Sequence, residues 1–518
     1  MGSLFQFPKA EGYQPLPENV TREELDRRAD EAAGRHRRFL RLTFMACILF
    51  VLGATLGYTL TRSSSKSEKY CETWEDGYQC APEISRLWGQ YSPFWPVESD
   101  ISPAVPEGCE VSFAQVLSRH GARDPTLGKS KAYGALIARI HAQVAEYGAG
   151  AAFLRDYEYR LGADELSAFG EQQLVNSGIR FYHRYRALAR RSTPFVRSAG
   201  QHRVVESARK WTEGFHASRE ADKHAEADEG WPYHILEIPE YRPHNNTLSP
   251  DTCPAFEAGS DLGRKAQATF LGEFAPAITA RLNAALPGAD LDDVDTTYLM
   301  DLCPFETVAD RYGRPSRICT LFSPDEWADY DYFQSLGKWY GYSSGNPLGP
   351  TQGVGFANEL IARLTGRPVE DHTSTNSTLD SSPETFPLRD RGVYADFSHD
   401  NDMAAMFGAL GLYNATAQLD KHSRQNPRET KGFAASWTVP FGARMYVEKM
   451  TCHGGPRTSS RSSREQGKRE ELVRVLVNDR VIPLQNCGAD ELGRCPLSRF
   501  VESLGFARSG GHWDQCYV

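Results

Sequence analysis

The chain has 518 residues, 40% hydrophobic and 24% charged, with a formal net charge of -9 at pH 7. This composition describes a globular protein with ample core. The acidic balance argues against a nucleic-acid binder but leaves room for a small basic pocket, and the length suits roughly three to four ordinary domains or one large two-lobed enzyme.

Residues 1–38 are polar, rich in Glu and Arg, and lack a core pattern. Residues 42–61 then run for 20 residues without a charge, between Arg41 and Arg62. At ~1.5 Å per residue this is about the thickness of the hydrocarbon layer. Arg35, Arg37, Arg38 and Arg41 crowd the N-terminal flank, so the positive-inside rule places the tail, residues 1–41, in the cytoplasm. A cleaved signal peptide would begin nearer the N-terminus and have a shorter apolar core. The expectation is a single-pass type II membrane protein: a transmembrane signal-anchor at 42–61, a Ser/Lys stalk at 62–70, and a body at 71–518. That body would be extracellular or in the secretory or vacuolar lumen. Gly53 and Gly57 make a small-xxx-small pair, which ordinary helix packing explains as well as a partner helix does.

Cysteine usage agrees with that topology. Cys47 lies in the apolar stretch, while Cys71, Cys80, Cys109, Cys253, Cys303, Cys319, Cys452, Cys487, Cys495 and Cys516 all follow it. They are even in number, on the side that oxidises thiols. None forms a CxxC pair, so zinc-ligand spacing is absent, and neither metal nor cofactor is expected. Asn245, Asn376 and Asn414 begin N-x-Ser/Thr glycosylation acceptors on the same side. Asn19 matches the pattern too, but falls in the tail.

The chemistry concentrates at Arg119-His120-Gly121-Ala122-Arg123-Asp124-Pro125. The apolar run Val111-Ser112-Phe113-Ala114-Gln115-Val116-Leu117 before it predicts a strand, and residues 131–146 show helical spacing. Two arginines and a histidine thus sit on a strand-to-helix turn, with Gly121 allowing the backbone to approach a ligand. Such turns suit anions. Arginine's planar fork fits phosphate oxygens, and an imidazole can attack phosphorus. The bland alternative is three cationic side chains solvating a loop. Two further junctions repeat the arrangement: Pro194-Phe195-Val196-Arg197 before the helical pattern 204–211, and Tyr394-Ala395-Asp396-Phe397-Ser398-His399-Asp400 before 403–412. All three are expected to meet at one rim of one sheet, whose strand order the pattern leaves open. Residues 218–229 and the Ser/Arg-rich 453–470 read as solvated surface insertions. Gly341-Tyr342-Ser343-Ser344-Gly345 satisfies G-x-S-x-G, but Asn346-Pro347-Leu348-Gly349-Pro350 cannot start the helix that a nucleophile elbow requires.

The spacing R-H-G-x-R-x-P resembles the signature of the histidine acid phosphatases. The segment Cys71 to Cys80, Leu161-Gly-Ala-Asp-Glu-Leu166, Phe169-Gly-Glu-Gln-Gln173, Pro194 to Arg197, Asn346-Pro-Leu-Gly-Pro-Thr-Gln-Gly353, Asp396 to Asp400 and Phe506-Ala-Arg-Ser-Gly-Gly511 resemble fungal phytases of the 3-phytase type. The resemblance covers residues 71–518 except the 453–470 insertion. The family is secreted as a rule, so an anchor departs from it. The resemblance implies an α/β fold, with a central, mostly parallel sheet flanked by helices and a smaller inserted α domain. It implies disulfides Cys71–Cys80, Cys109–Cys452, Cys253–Cys516, Cys303–Cys319 and Cys487–Cys495. His120 is the implied nucleophile and Asp400 the proton donor to the leaving alkoxide, with Arg119, Arg123, Arg197 and His399 holding phosphate oxygens. Lys129, Lys131 and Lys338 would form the substrate rim. Fungal phytases show a further lysine where this chain has Ala132 and a second one where it has Gly337, and often tyrosine at Asp124. A less positive outer pocket, and selectivity broader than that of the tightest phytases, is therefore expected. The implied activity is hydrolysis of phytate and other phosphomonoesters in acid, by a monomer with a small phosphorylated substrate. The alternatives are a broad acid phosphatase with little phytate preference, and a non-catalytic anchored binder of phosphorylated ligands.

Overall fold

The computed structural model describes residues 70–228, 230–259, 261–388, 391–452 and 470–517. The tail, the apolar stretch 42–61 and residues 453–469 of the second insertion lie outside the described residues. Among the described residues no helix is long and apolar enough to cross a membrane. Tyr70–Val518 forms one compact unit.

A short hairpin, β1 (Glu72–Thr73) and β2 (Gly77–Tyr78), opens the body. The main sheet contains β3 (Cys109–Arg119), β4 (Phe195–Ala199), β5 (Ile235–Ile238), β6 (Val393–Ser398), β7 (Arg444–Cys452), β8 (Glu471–Val477), β9 (Arg480–Ile482) and β10 (Cys495–Pro496). Their order is β10-β8-β7-β3-β6-β4-β5, with β9 beside β8. β3, β6, β4 and β5 run parallel, whereas β3–β7, β7–β8, β8–β9 and β8–β10 are antiparallel. The sheet is therefore mixed, which corrects the expectation of a mostly parallel one. The cause is partly local: Asn478 and Asp479, at φ 47° and 65°, form a two-residue turn between β8 and β9. So short a link permits only an antiparallel neighbour.

Helices cover the sheet. α1 (Leu127–Gln143), α2 (Ala168–Arg184) and α3 (His202–Glu220) come from the first half of the chain. α2 packs on α3, and α3 on β4, β5 and β6. Between β5 and β6 the described residues hold no strand. They hold α4 (Asp261–Ala285), α5 (Asp293–Ala309), α6 (Pro324–Tyr342) and α7 (Val354–Thr365). α5 and α6 each start with a reciprocal capping box, Asp292 with Asp295 and Ser323 with Glu326. α8 (Asp400–Ala409) follows β6. One hydrophobic core runs through the sheet and these inserted helices.

The 218–229 segment is not simply a solvated loop. Residues 218–220 complete α3, and Arg219 and Asp222 are buried. Asp222 accepts from Arg186 at 2.6 Å, Arg190 at 2.7 Å and Tyr182 at 3.0 Å. Arg219 and Asp222 pin the end of α3 to the segment after α2, whereas Glu220, Lys223 and Glu226 are exposed.

The ten cysteines after Cys47 form five disulfides: Cys71–Cys80, Cys109–Cys452, Cys253–Cys516, Cys303–Cys319 and Cys487–Cys495. Cys109 and Cys452 are cross-strand partners of β3 and β7. Of the three acceptor asparagines, Asn414 is exposed. Asn245 is half-buried and donates to the Thr375 carbonyl at 2.8 Å, while Asn376 caps a short helix.

Candidate active site

β3, β6 and β4 are neighbours, so their carboxyl ends bring the three junctions to one cleft of about 730 Å³, a size typical of small-molecule sites. Arg119 ends β3 and His120 begins the turn. The His120 amide donates to Ser398 on β6 at 3.1 Å, and its carbonyl accepts from Gly442 at 3.1 Å. The next two amides donate to Ser207 on α3 and Gln173 on α2, each at 3.1 Å. Gly121 is required by this packing rather than by a ligand: a Cβ there would lie 2.4 Å from the Gly170 carbonyl of α2.

His120 is fully buried, and its Nδ1 lies 2.8 Å from the Gly121 carbonyl oxygen. That contact requires a proton on Nδ1 and leaves a lone pair on Nε2, which has no partner. Burial, then Arg119, Arg123, Arg203 and His399, drive this imidazole well below its ordinary pKa. Around it, Arg119 Nε and Nη2, Arg123 Nε and Arg203 Nε are buried donors without hydrogen bonds. Arg119 spends only Nη1, on the Val439 carbonyl at 2.8 Å and on that of Gln90. Burial lowers Arg119 to about 10, with Asp400 opposing, and lowers Arg203 to about 10 with help from Arg123. Both stay charged, with Asp400 3.4 Å from Arg119 Nη2 and Asp164 3.4 Å from Arg203 Nη1 as their carboxylate neighbours.

Asp400 begins α8 and faces this cluster. Its Oδ1 is 3.4 Å from Arg119 Nη2, and Oδ2 accepts from Lys338 of α6. Burial pushes the carboxyl up, but Arg119, Lys338 and His120 outweigh it and hold it well below the usual range. Lys338, expected at the rim, is instead buried, and also donates to Asn401 at 2.6 Å. His399 Nε2 is 3.0 Å from Glu240, two residues beyond β5, and the His120 and His399 rings are 5.7 Å apart.

Arg197 does not join the cluster. It lies within β4, in register with Asp396 of β6, and such partners project to the same face. Its Nε donates to Asp396 at 2.9 Å and its Nη2 to Glu359 at 2.7 Å, with Arg363 also on Asp396 at 2.7 Å. The third pocket arginine is Arg203, in the first turn of α3, which lines the cleft with Arg123, Lys129, Glu240 and Asp400. The sequence did carry a signal for it. β3 ends at Arg119, with Arg123 four residues on; β4 ends at Ala199, with Arg203 four residues on.

The outer positions divide. Lys129 lines the cleft, 3.2 Å from Asp301, whereas Lys131 is exposed and away from the lining residues. Gly337 lines it, but a Cβ there would lie 2.8 Å from the Gln267 side chain. Asp124 sits against Gly162 rather than among the lining residues, so it does not face the pocket as expected. Ser343 caps the C-terminus of α6 and is buried, which is not an elbow geometry.

Comparison with known proteins places these features. The profile of the histidine phosphatase superfamily (branch 2) matches residues 110–478, from β3 to the β8–β9 turn. Phytase A of Aspergillus fumigatus is 50% identical over 480 residues, covering 92% of this chain and 99% of that protein. Phytase A of Neurospora crassa is 47% identical, covering 92% and 100%. The crystal structure of the phytase from D. castellii superposes with a TM-score of 0.65 at 21% identity, over 84% of this chain and 88% of that one. The chain therefore belongs to branch 2 of the histidine phosphatase superfamily.

Proposed function

We propose that the protein hydrolyses phosphomonoesters through a phosphohistidine on His120. The observation that carries this is the lone pair of His120 Nε2, buried without a partner among guanidinium nitrogens that make no hydrogen bond. Arg119, Arg123 and Arg203 take the non-bridging oxygens, with His399 as a further donor. Nε2 attacks phosphorus, a P–N bond forms, and the ester P–O bond breaks with Asp400 giving its proton to the leaving oxygen. Water then attacks phosphorus, the P–N bond breaks, and Asp400 takes the proton back. Asp400 is ionised before substrate arrives, so the proton must come with a monoanionic phosphate, whose second pKa is about 6. Activity is therefore expected to fall as pH rises above that range. Quenching a turnover of labelled substrate without acid should leave label on His120; label on serine or aspartate overturns the mechanism.

Phytate is the substrate class best supported, through relatives named phytase. Selectivity is broader than that of the tightest phytases, because both expected rim lysines that line the cleft are already engaged, Lys129 by Asp301 and Lys338 by Asp400 and Asn401. Comparing kcat/KM for phytate and simple monoesters between about pH 2.5 and 7 tests this; a strong phytate preference throughout would refute it.

The enzyme body, residues 71–518, acts as a monomer outside the cytosol, anchored by residues 42–61 with the tail, residues 1–41, inside and residues 62–70 as stalk. Five disulfides in the body support an oxidising compartment, and Asn245, Asn376 and Asn414 are the candidate glycan carriers. Protease added to sealed vesicles distinguishes this topology from a cytosolic C-terminus.

A further inference from the structure

Asp402 lies in the first turn of α8, two residues past Asp400, and lines the cleft. Its carboxyl is half-buried and makes no hydrogen bond or ion pair with the described residues. The mechanism has no use for it. The two carboxylates nearest the reacting centre are engaged by a cation or a histidine: Asp400 by Lys338 and Arg119, and Glu240 by His399.

The charges facing Asp402 come from each element around it. His399 and Asp400 belong to its own junction, Glu240 follows β5, Glu257 sits on the short helix Pro254–Ala258, Tyr342 is on α6, and Arg264 of α4 lines the cleft beside Tyr342. Lys338 of α6 is committed to Asp400 and Asn401. The cleft is thus two-sided. Arg123, Arg203 and Lys129 line one part, while Asp402, Glu240 and Glu257 lie in another, with Arg264 of α4 as its cation near Tyr342.

Resting on the phosphohydrolase reading above, we propose that Asp402 is a specificity-determining residue: its open carboxylate repels a second phosphate borne next to the scissile one. A substrate with one phosphate meets only the arginine cluster and is indifferent to it. A polyphosphorylated substrate must place further dianions against the acidic wall, or take a poorer pose. Burial and the surrounding carboxylates, with His399 opposing, push Asp402 up to about 7. In mild acid it is protonated and can donate to a phosphate oxygen; above neutrality it is increasingly an anion and excludes one. The selection against polyphosphates therefore strengthens as pH rises through that value.

The test measures kcat/KM of the full chain for phytate and for p-nitrophenyl phosphate, at about pH 5 and pH 7.5. For Asp402→Asn the phytate-to-nitrophenyl ratio should rise roughly five- to tenfold at the higher pH, mainly through KM, and change by less than about twofold at the lower. Asp402→Glu should keep the wild-type ratio. An unchanged ratio at pH 7.5, or an equal loss on both substrates, overturns the proposal. A wild-type chain that turns over neither ester overturns the phosphohydrolase reading itself. A variant that misfolds shows itself in the nitrophenyl rate, and Asp402→Glu then decides: a raised ratio counts against the proposal and a retained one supports it.

Discussion

Two groups of buried arginines lie at the carboxyl half of the same parallel strands, and they serve opposite ends. Around Arg197, two arginines meet two carboxylates: Arg197 and Arg363 with Asp396 and Glu359, all buried. Around His120, Arg119, Arg123, Arg203 and Lys338 face Asp400 as the shared carboxylate, and guanidinium nitrogens are left without hydrogen bonds. Arg197 is held above its ordinary pKa, because Asp396 and Glu359 outweigh burial; Arg119 and Arg203 are held below theirs. Burial alone does not mark a functional charge. Nor does a bare guanidinium nitrogen, since Arg363 is also lowered by burial and has Nε and Nη2 without hydrogen bonds. What distinguishes the His120 group is that such nitrogens converge with an unpartnered imidazole Nε2 at an open cleft, where an incoming anion can supply the partner.

The largest effect expected falls on the nucleophile. His120→Ala should lower turnover by about 10⁴-fold or more while leaving the circular dichroism spectrum and melting temperature near wild type. Residual turnover within tenfold of wild type would remove His120 from the centre of the site.

The paired arginines test the contrast directly. Arg203→Ala should cost about 10²–10³-fold in kcat/KM with little change in stability, since the one ion pair it breaks, at 3.4 Å, is to Asp164, whose exposed side chain water can solvate. Arg197→Ala should instead destabilise the fold by about 3–5 kcal/mol, because Asp396 and Glu359 are left buried with one cation fewer. Urea unfolding alongside kinetics separates the two outcomes. If Arg197→Ala folded normally and lost activity while Arg203→Ala folded and kept it, Arg197 rather than Arg203 would be the phosphate ligand.

How much of this was legible in the sequence follows from what each signal is made of. The three junctions showed because an apolar run broken by charge is a local pattern, and β3, β4 and β6 all appear where the runs lie. Arg197 was mistaken for a pocket residue because it closes an apolar run, although β4 continues to Ala199. Its role depends on cross-strand register with Asp396, a relation between segments 199 residues apart. Lys338 and Glu240 reach the site from α6 and from beyond β5, and no local pattern announces such an approach. The antiparallel half of the sheet was partly readable from Asn478-Asp479 between two apolar runs. Pairing β7 with β3 was not, since it joins distant segments.

Asp400→Asn probes the shared carboxylate. Asparagine keeps the shape but cannot hand over a proton, so poor leaving groups should suffer more than good ones. The loss for an inositol or sugar phosphate should exceed that for p-nitrophenyl phosphate by about 10²-fold. Equal losses would make Asp400 a spacer for Arg119 and Lys338 rather than the acid.

Asp331 on α6 gives a third way of meeting burial, and the smallest expected effect. Its carboxyl is buried, accepts from the Ser436 amide at 3.2 Å, and has no ion pair among the described residues. Burial, opposed by those Ser436 hydrogen bonds, raises it from 3.8 to about 7. With no cation to neutralise it, the group stays in the core by keeping its proton. The folded pKa exceeds the unfolded one, so the folded state binds more protons between the two values. The stabilisation is complete below about pH 4 and is lost as pH rises through about 7. Glu72, raised by burial to about 8 against the pull of Arg444, acts in the same direction. The melting temperature should therefore be higher near pH 5 than near pH 8, and Asp331→Asn should flatten that slope by about 2–5 °C. Arg197→Ala should shift the whole curve down instead, because Asp396, held below the usual carboxylate range by Arg197 and Arg363, loses one of its two buried cations. A slope unchanged in Asp331→Asn would mean that Asp331 is already ionised in the core, and that burial there is met by some partner other than a proton.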